Sequence, residues 1–218
     1  MDSPYQELLD STDFTTKEVG MPTDVAAVTM SNAKLLYAPV GTTLPADSLA
    51  VGAAWPVGWV QYGLTSAPLV VAYSYETKAP EIQEALGAVK RKKVSEELTA
   101  ETTMAQLDFA GLPSTWGGTN TVVASGVGQV GKETFKIGGA AQLPIRMWGF
   151  EAEQEDEEGN VFPVRGFIWK ATSEEGGELE FSKEDWTGIP LKLSALEDLS
   201  KTKGERLFQL VRVVEAAS

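Results

Sequence analysis

The sequence predicts a mainly β fold, a sandwich or barrel of many short strands flanked by one α-helix. Three observations predict it. Apolar segments of strand length recur at short spacing, separated by Gly-, Pro- or acid-rich turns. Only one segment, Thr102 to Leu112, has helix punctuation. Thr102 or Thr103 caps its start, Met104, Leu107 and Leu112 form an apolar stripe, and Gly111 with Pro113 stops it. No repeat with a period of roughly 20 to 50 residues and no convincing linker is present, so one domain is expected. A chain of 218 residues fits one large all-β domain, since such units often exceed about 200 residues.

Residues 1–30 are polar, with Pro4 and Pro22 breaking any helix, and read as an N-terminal arm that orders against a partner. Residues 31–218 read as a single domain. Its first strand is Lys34 to Ala38, ended by Pro39, followed by a loop of turn formers from Gly41 to Ser48. A strand lies within Trp55 to Thr65, and Leu69 to Tyr75 is another. A long hairpin comes next, with arms Lys78 to Ala85 and Val89 to Thr99 around a turn at Leu86-Gly87-Ala88. Both faces of its second arm are largely polar, whereas a half-buried strand alternates apolar with polar residues. Such a hairpin suits an arm that reaches a neighbouring subunit. After the helix, strands are expected at Thr121 to Ser125, Glu133 to Ile137, Gln142 to Glu153 and Val161 to Ser173. Three more follow at Glu178 to Phe181, Ile189 to Leu196 and Leu207 to Val213. Pro144 to Glu153 pairs naturally with Val161 to Ala171 across the turn Glu155 to Asn160.

Composition narrows the chemistry. The formal charge is −13, from 18 basic and 31 acidic residues, which argues against a duplex-DNA binder held by Lys and Arg on phosphates. The chain has neither cysteine nor histidine. That removes disulfides, Cys–His and Ser–His–Asp catalysis, and Cys/His metal or haem ligation. The start, Met1-Asp2-Ser3-Pro4-Tyr5, is acidic and lacks the apolar core of a signal peptide, and no apolar run approaches membrane-spanning length. The expectation is a soluble cytoplasmic protein without cofactor or metal.

Several motifs invite a functional reading. Gly126-Val127-Gly128-Gln129-Val130-Gly131-Lys132 fits G-x-G-x-x-G, but Glu133 stands where a P-loop needs Ser or Thr, and the residues that follow are β-like. A glycine-rich turn between strands is favoured. The acidic run Glu151, Glu153, Glu155, Asp156, Glu157 and Glu158 lacks the spacing of a calcium loop and reads as a solvated hairpin tip. No carboxylate pair is singled out for glycosidase chemistry. Lys90-Arg91-Lys92-Lys93 is the only dense basic cluster. It could meet nucleic acid or an acidic partner, and in so acidic a chain the favoured partner is the acidic surface of another copy. Trp55, Trp59, Trp148, Trp169 and Trp186 sit within strand patterns and read as core or subunit-interface residues rather than a ligand platform.

The order of features from residue 33 to 113 carries a resemblance. Leu36-Tyr37-Ala38-Pro39-Val40-Gly41-Thr42-Thr43-Leu44-Pro45 is followed by Gly58-Trp59-Val60-Gln61-Tyr62-Gly63-Leu64-Thr65, then by a strand, a charged hairpin and Glu96-Glu97-Leu98-Thr99-Ala100-Glu101-Thr102-Thr103-Met104-Ala105-Gln106-Leu107. This pattern resembles the major tail tube proteins of long non-contractile-tailed bacteriophages. The resemblance implies a β-sandwich with one flanking helix, six copies of which form a ring. One sheet from each copy would join a closed β-barrel around a lumen. Rings would stack through long loops and terminal arms into a tube within the virion tail, assembled in the host cytoplasm, and the genome would pass down it at infection. The implied partners are further copies of itself, a tail-tip initiator, tape-measure and terminator proteins, and DNA only in transit, with no membrane and no cofactor. Within that picture Glu81, Glu84, Glu96 and Glu97 are candidate lumen-facing carboxylates, and Lys90, Arg91, Lys92 and Lys93 candidate ring-to-ring contacts. Two other readings stay open: another virion or tube-forming structural protein (capsid decoration or secretion-type tube), and a carbohydrate-binding β domain.

Overall fold

The computed structural model describes residues 32–80, 90–106, 108–139, 142–156, 158–176, 178–179 and 188–214. Among the described residues ten strands are formed: β1 (Lys34–Ala38), β2 (Val60–Gln61), β3 (Val70–Lys78), β4 (Lys92–Met104), β5 (Thr119–Val123), β6 (Lys132–Lys136), β7 (Arg146–Glu155), β8 (Val161–Ser173), β9 (Ile189–Ala195) and β10 (Phe208–Arg212). Eight of them make one sheet in the order β2-β1-β7-β8-β9-β4-β3, with β10 also pairing to β8, while β5 and β6 form a separate two-stranded sheet. All pairings are antiparallel. The main sheet of one copy is open, ending at β2 and β3, and is not closed into a barrel.

The long hairpin β7–β8 is the spine. Its two strands are buried on both faces, so their side chains alternate between two cores rather than between core and solvent. Trp148 and Ile168 face the larger core, which also holds Leu35, Tyr62, Leu98, Met104, Ile189, Leu191 and Leu193. Met147, Phe167 and Trp169 face a second core with Leu36 and Trp55. That core is covered by the segment after β1, through Leu44, Leu49 and Trp59. Two glycines let aromatic rings lie against the spine. A Cβ on Gly166 would come within 2.2 Å of the Phe150 ring, and one on Gly149 within 2.6 Å of Trp55.

The expected helix is not formed. Thr102 to Met104 is the end of β4, where Leu98, Ala100, Thr102 and Met104 alternate inward and are all buried. That period-2 pattern, paired against β9, overrides the caps and stop that suggested a helix. Among the described residues of Thr102 to Gly111 none is helical, and the helical element nearby is one 3₁₀ turn, Leu112–Ser114. The hairpin register also differs from expectation. β4 pairs with Val70–Lys78 rather than with the segment after Lys78. The expected turn at residues 86–88, most of the first arm, Glu81, Glu84 and Trp186 lie outside the described residues, as do the N-terminal arm and residues 180–181 of the strand expected from Glu178; Glu178 and Leu179 themselves are not in a strand.

Candidate functional site

Three features outside the cores could serve a partner: the β3–β4 arm, the open face of β3, β4 and β9, and the free outer edge of β3.

The arm departs from regular pairing near its base. Ser95 lies opposite Glu76 but Lys93 opposite Thr77, so Val94 is an extra residue in β4. Such a bulge re-aims the side chains beyond it. It turns Lys93 onto the face of Glu96, where its ammonium sits 2.8 Å from Glu96 Oε2. The same ammonium donates to the Tyr73 hydroxyl and lies 5.1 and 5.3 Å from the ring centres of Tyr73 and Tyr75. Tyr73 donates in turn to Glu96 at 2.8 Å. The hydrogen bond from Lys93, followed by that from Tyr73, holds the Glu96 carboxyl below the usual carboxylate range. Glu96, then Tyr73, raises the Lys93 ammonium. Lys90, Arg91 and Lys92 are exposed as well, but Lys93 is the member of the basic cluster tied into its own strand pair.

The two acidic candidates that are described, Glu96 and Glu97, point to opposite faces of β4. Glu96 shares the side of Leu98, Tyr73 and Tyr75, beyond the reach of the core. Glu97 shares the other side, opposite Ser74, with Thr99 opposite Ala72 and Ser194, and Glu101 opposite Val70 and Lys192. This side carries Ala72, Ser74, Thr99, Glu97 and Glu101 together with Val70, none of them buried. Its cation, Lys192, lies 3.3 Å from Glu174, 3.5 Å from Glu175 and 3.7 Å from Glu101, and Glu174 foremost raises its pKa. The result, among the described residues, is an open, net acidic sheet surface. It runs up to the outer edge of β3, which has no strand partner among the described residues and is nine residues long with no proline in it, a ready template for another strand.

The acidic run divides in two. Glu153 and Glu155 are exposed near the tip of β7–β8, and Asp156 shapes the turn by accepting the N–H groups of Glu158 and Asn160. Glu151 does not belong with them. It is 4% exposed and bonded at 2.8 Å to Nε of Arg165, its direct neighbour across the hairpin. Glu151 also accepts Gly52 N–H and Trp55 Nε1–H, while the Arg165 guanidinium donates to the carbonyls of Ala46 and Leu49. One ion pair thus fastens the segment that covers the second core. Sequence reasoning missed it, although a lone Arg among Val164, Gly166 and Phe167, opposite a Glu, was the signal.

The remaining motifs resolve into structure. Gly126 and Gln129 exchange backbone hydrogen bonds of 3.0 Å around Val127-Gly128, with Gly128 at φ +72°, and strand β6 follows rather than a helix. The G-x-G-x-x-G is the turn of the β5–β6 hairpin. Trp55, Trp148 and Trp169 are buried and Trp59 is half-buried against Trp55 and Phe167.

An open antiparallel sheet with an acidic face and, among the described residues, an edge strand without a second partner defines the class of the molecule as a mainly β protein. A family model described as phage tail tube protein matches residues 21–212, and the chain belongs to that family. Its place is therefore the tail of the virion. No curated protein matches the sequence.

Proposed function

We propose that this chain is the repeating subunit of the tube, closing with five further copies into a ring whose stacked repeats conduct the genome into the host. The observation that carries this reading is the acidic open face of β3, β4 and β9 beside the free edge of β3. Joining that edge to a neighbouring copy would remove it, and closure of the ring would remove every such edge. The open face would then line the lumen, with Glu97 as a wall residue joined by Glu76 and Glu101. Carboxylates there repel the DNA phosphates, so the genome slides without sticking. Glu96, on the far side of the strand, serves the arm instead. Lys90, Arg91 and Lys92, with Lys93 behind them, are placed to meet the acidic surface of the next ring. Residues 1–30 would supply an arm to a neighbour, and tail-tip, tape-measure and terminator proteins would start, measure and end the tube.

Negative-stain electron microscopy of concentrated protein tests the reading. Hollow tubes or six-fold rings roughly 100 Å across support it. A protein that stays monomeric, even when mixed with tail-tip complexes, refutes it. Replacing Lys90, Arg91, Lys92 and Lys93 together by Glu separates the stacking role, because rings that still stack to full-length tubes would exclude it.

A further inference from the structure

The β5–β6 hairpin stands apart from the main sheet, and its surface is unlike the rest of the chain. Phe135 anchors its base against Phe109 and Trp116, and the 3₁₀ turn connects it to the end of β4 at Met104. From there the hairpin reaches outward to a tip where Val127 is fully exposed and Val130 nearly so, with Val122 also open on β5. A lone two-stranded ribbon is marginally stable in water, and valines at a solvated turn add only hydration cost. The hairpin also has two lysines, Lys132 and Lys136, against one glutamate, Glu133, in a chain of formal charge −13. Both lysines lie outside its uncharged tip, Val127 to Val130, so what the tip suits is an apolar recess, and in a tube the surface nearest to it belongs to a second copy of this chain.

A groove that matches the tip lies toward the other end of β4. It has about 340 Å³ between the β3–β4 arm and the start of β10, floored by Leu98, Leu207 and Phe208 and rimmed by Tyr73, Glu96 and Arg206. It exists because β8 pairs with β10 along Val164–Ile168 and with β9 only from Ala171, leaving a fork between β10 and β4. Along β4 the groove at Glu96 is eight residues from the hairpin's root at Met104, about 26 Å of strand. Donor and acceptor surfaces at opposite ends of one strand make a head-to-tail contact, the kind that propagates instead of closing a dimer.

We infer that the apolar tip Val127–Val130 of one copy seats in the Tyr73–Leu98–Phe208 groove of the next. This rests on the tube reading and names a contact within it, one that borders Lys93 through Tyr73 and Glu96.

The absence of cysteine allows a clean test by cross-linking. The double variant Val127→Cys/Tyr73→Cys, assembled and mildly oxidised, should give a ladder of covalent oligomers on a non-reducing gel, whereas each single variant should not. A double variant that forms tubes but no ladder beyond the single variants overturns the inference and leaves the tube standing. In a second experiment Val127→Asp/Val130→Asp, which changes only solvent-exposed side chains, should fold with an unchanged circular dichroism spectrum and need at least tenfold more protein to assemble. Assembly at the wild-type concentration overturns the contact. A wild-type protein that forms no rings or tubes under any condition overturns both readings.

Discussion

Two ion pairs with the same 2.8 Å separation stand in opposite parts of this molecule. Arg165–Glu151, in the β7–β8 spine, has side chains 2% and 3% exposed, whereas Lys93–Glu96, on the β3–β4 arm, has 45% and 31%. Distance does not distinguish them, and surroundings do. Around Arg165, backbone carbonyls of the covering segment saturate the guanidinium, and around Glu151 an amide and an indole N–H do the same. The pair on the arm is largely solvent-exposed and lies against the exposed Tyr73 and Tyr75. One region therefore uses its charge to hold the fold, and the other keeps its charge at an exposed surface.

The largest expected effect lies in the spine. Arg165→Met leaves a buried carboxylate without its cation, a change that costs about 3–5 kcal/mol. Chemical denaturation should show this as a lower midpoint at unchanged slope. Adding Glu151→Leu removes the stranded charge and should recover part of the loss. Recovery stays incomplete because the carbonyls of Ala46 and Leu49 and the Gly52 N–H have lost their partners. If Arg165→Met matches wild type, the covering segment is not fastened by this pair.

A second, smaller effect tests the packing of the same strands. Gly166→Ala puts a methyl group into the Phe150 ring, and overpacking of this kind costs about 1–3 kcal/mol. Phe150→Leu in the same background should relieve it, whereas a variant as stable as wild type would mean that the ring moves aside freely.

How far this contrast was legible in the sequence depends on the region. β1 and β8 have the predicted bounds, because Pro39 ends one and the acidic turn before Val161 starts the other. β9 and β10 are each within a residue or two of expectation. The failures came where a local signal competed with a pairing partner. Thr102, Met104 and Leu112 satisfied a helix template, but Leu98, Ala100, Thr102 and Met104 also satisfied a strand template, and only the presence of β9 decides between them. Glu151 was hidden in a run of acids whose other described members are solvated, and only the register of β7 on β8 sets it against Arg165. The arm was readable as an exposed, polar hairpin. Its bulge at Val94, which brings Lys93 beside Glu96, leaves no mark in a single sequence.

A third expectation concerns pH. Asp198 closes the loop between β9 and β10, accepting from Lys170 at 2.9 Å and from the Ser200 N–H and hydroxyl. The hydrogen bond from Lys170 foremost, helped by Ser200, pulls its pKa from 3.8 to about 2. A carboxyl with a depressed folded-state pKa stabilises the fold fully above its unfolded value, and that contribution fades as pH falls through the folded value. Asp198→Asn should therefore melt below wild type at pH 6, and the two should converge between pH 3.8 and about pH 2. A gap that persisted at pH 2 would assign the effect to packing rather than to charge.

The smallest effect on stability belongs to the arm, and there the comparison is sharpest. Lys93→Ala removes a pair as short as the buried one, yet water already solvates both partners, so exposed pairs of this kind contribute little. The denaturation midpoint should match wild type within error. If the proposed stacking contact forms, assembly should respond nonetheless, because the substitution leaves Glu96 uncompensated and makes a −13 chain more acidic at that surface. Light scattering at low salt should show a higher concentration for the onset of assembly, and the difference from wild type should shrink as ionic strength shortens the Debye length to about 3 Å near 1 M. If Lys93→Ala instead unfolds as readily as Arg165→Met, the arm is part of the stabilising core and the division between the two regions fails. If stability and assembly both match wild type at every salt concentration, Lys93 takes no part in the contact, and the basic role passes to Lys90, Arg91 and Lys92.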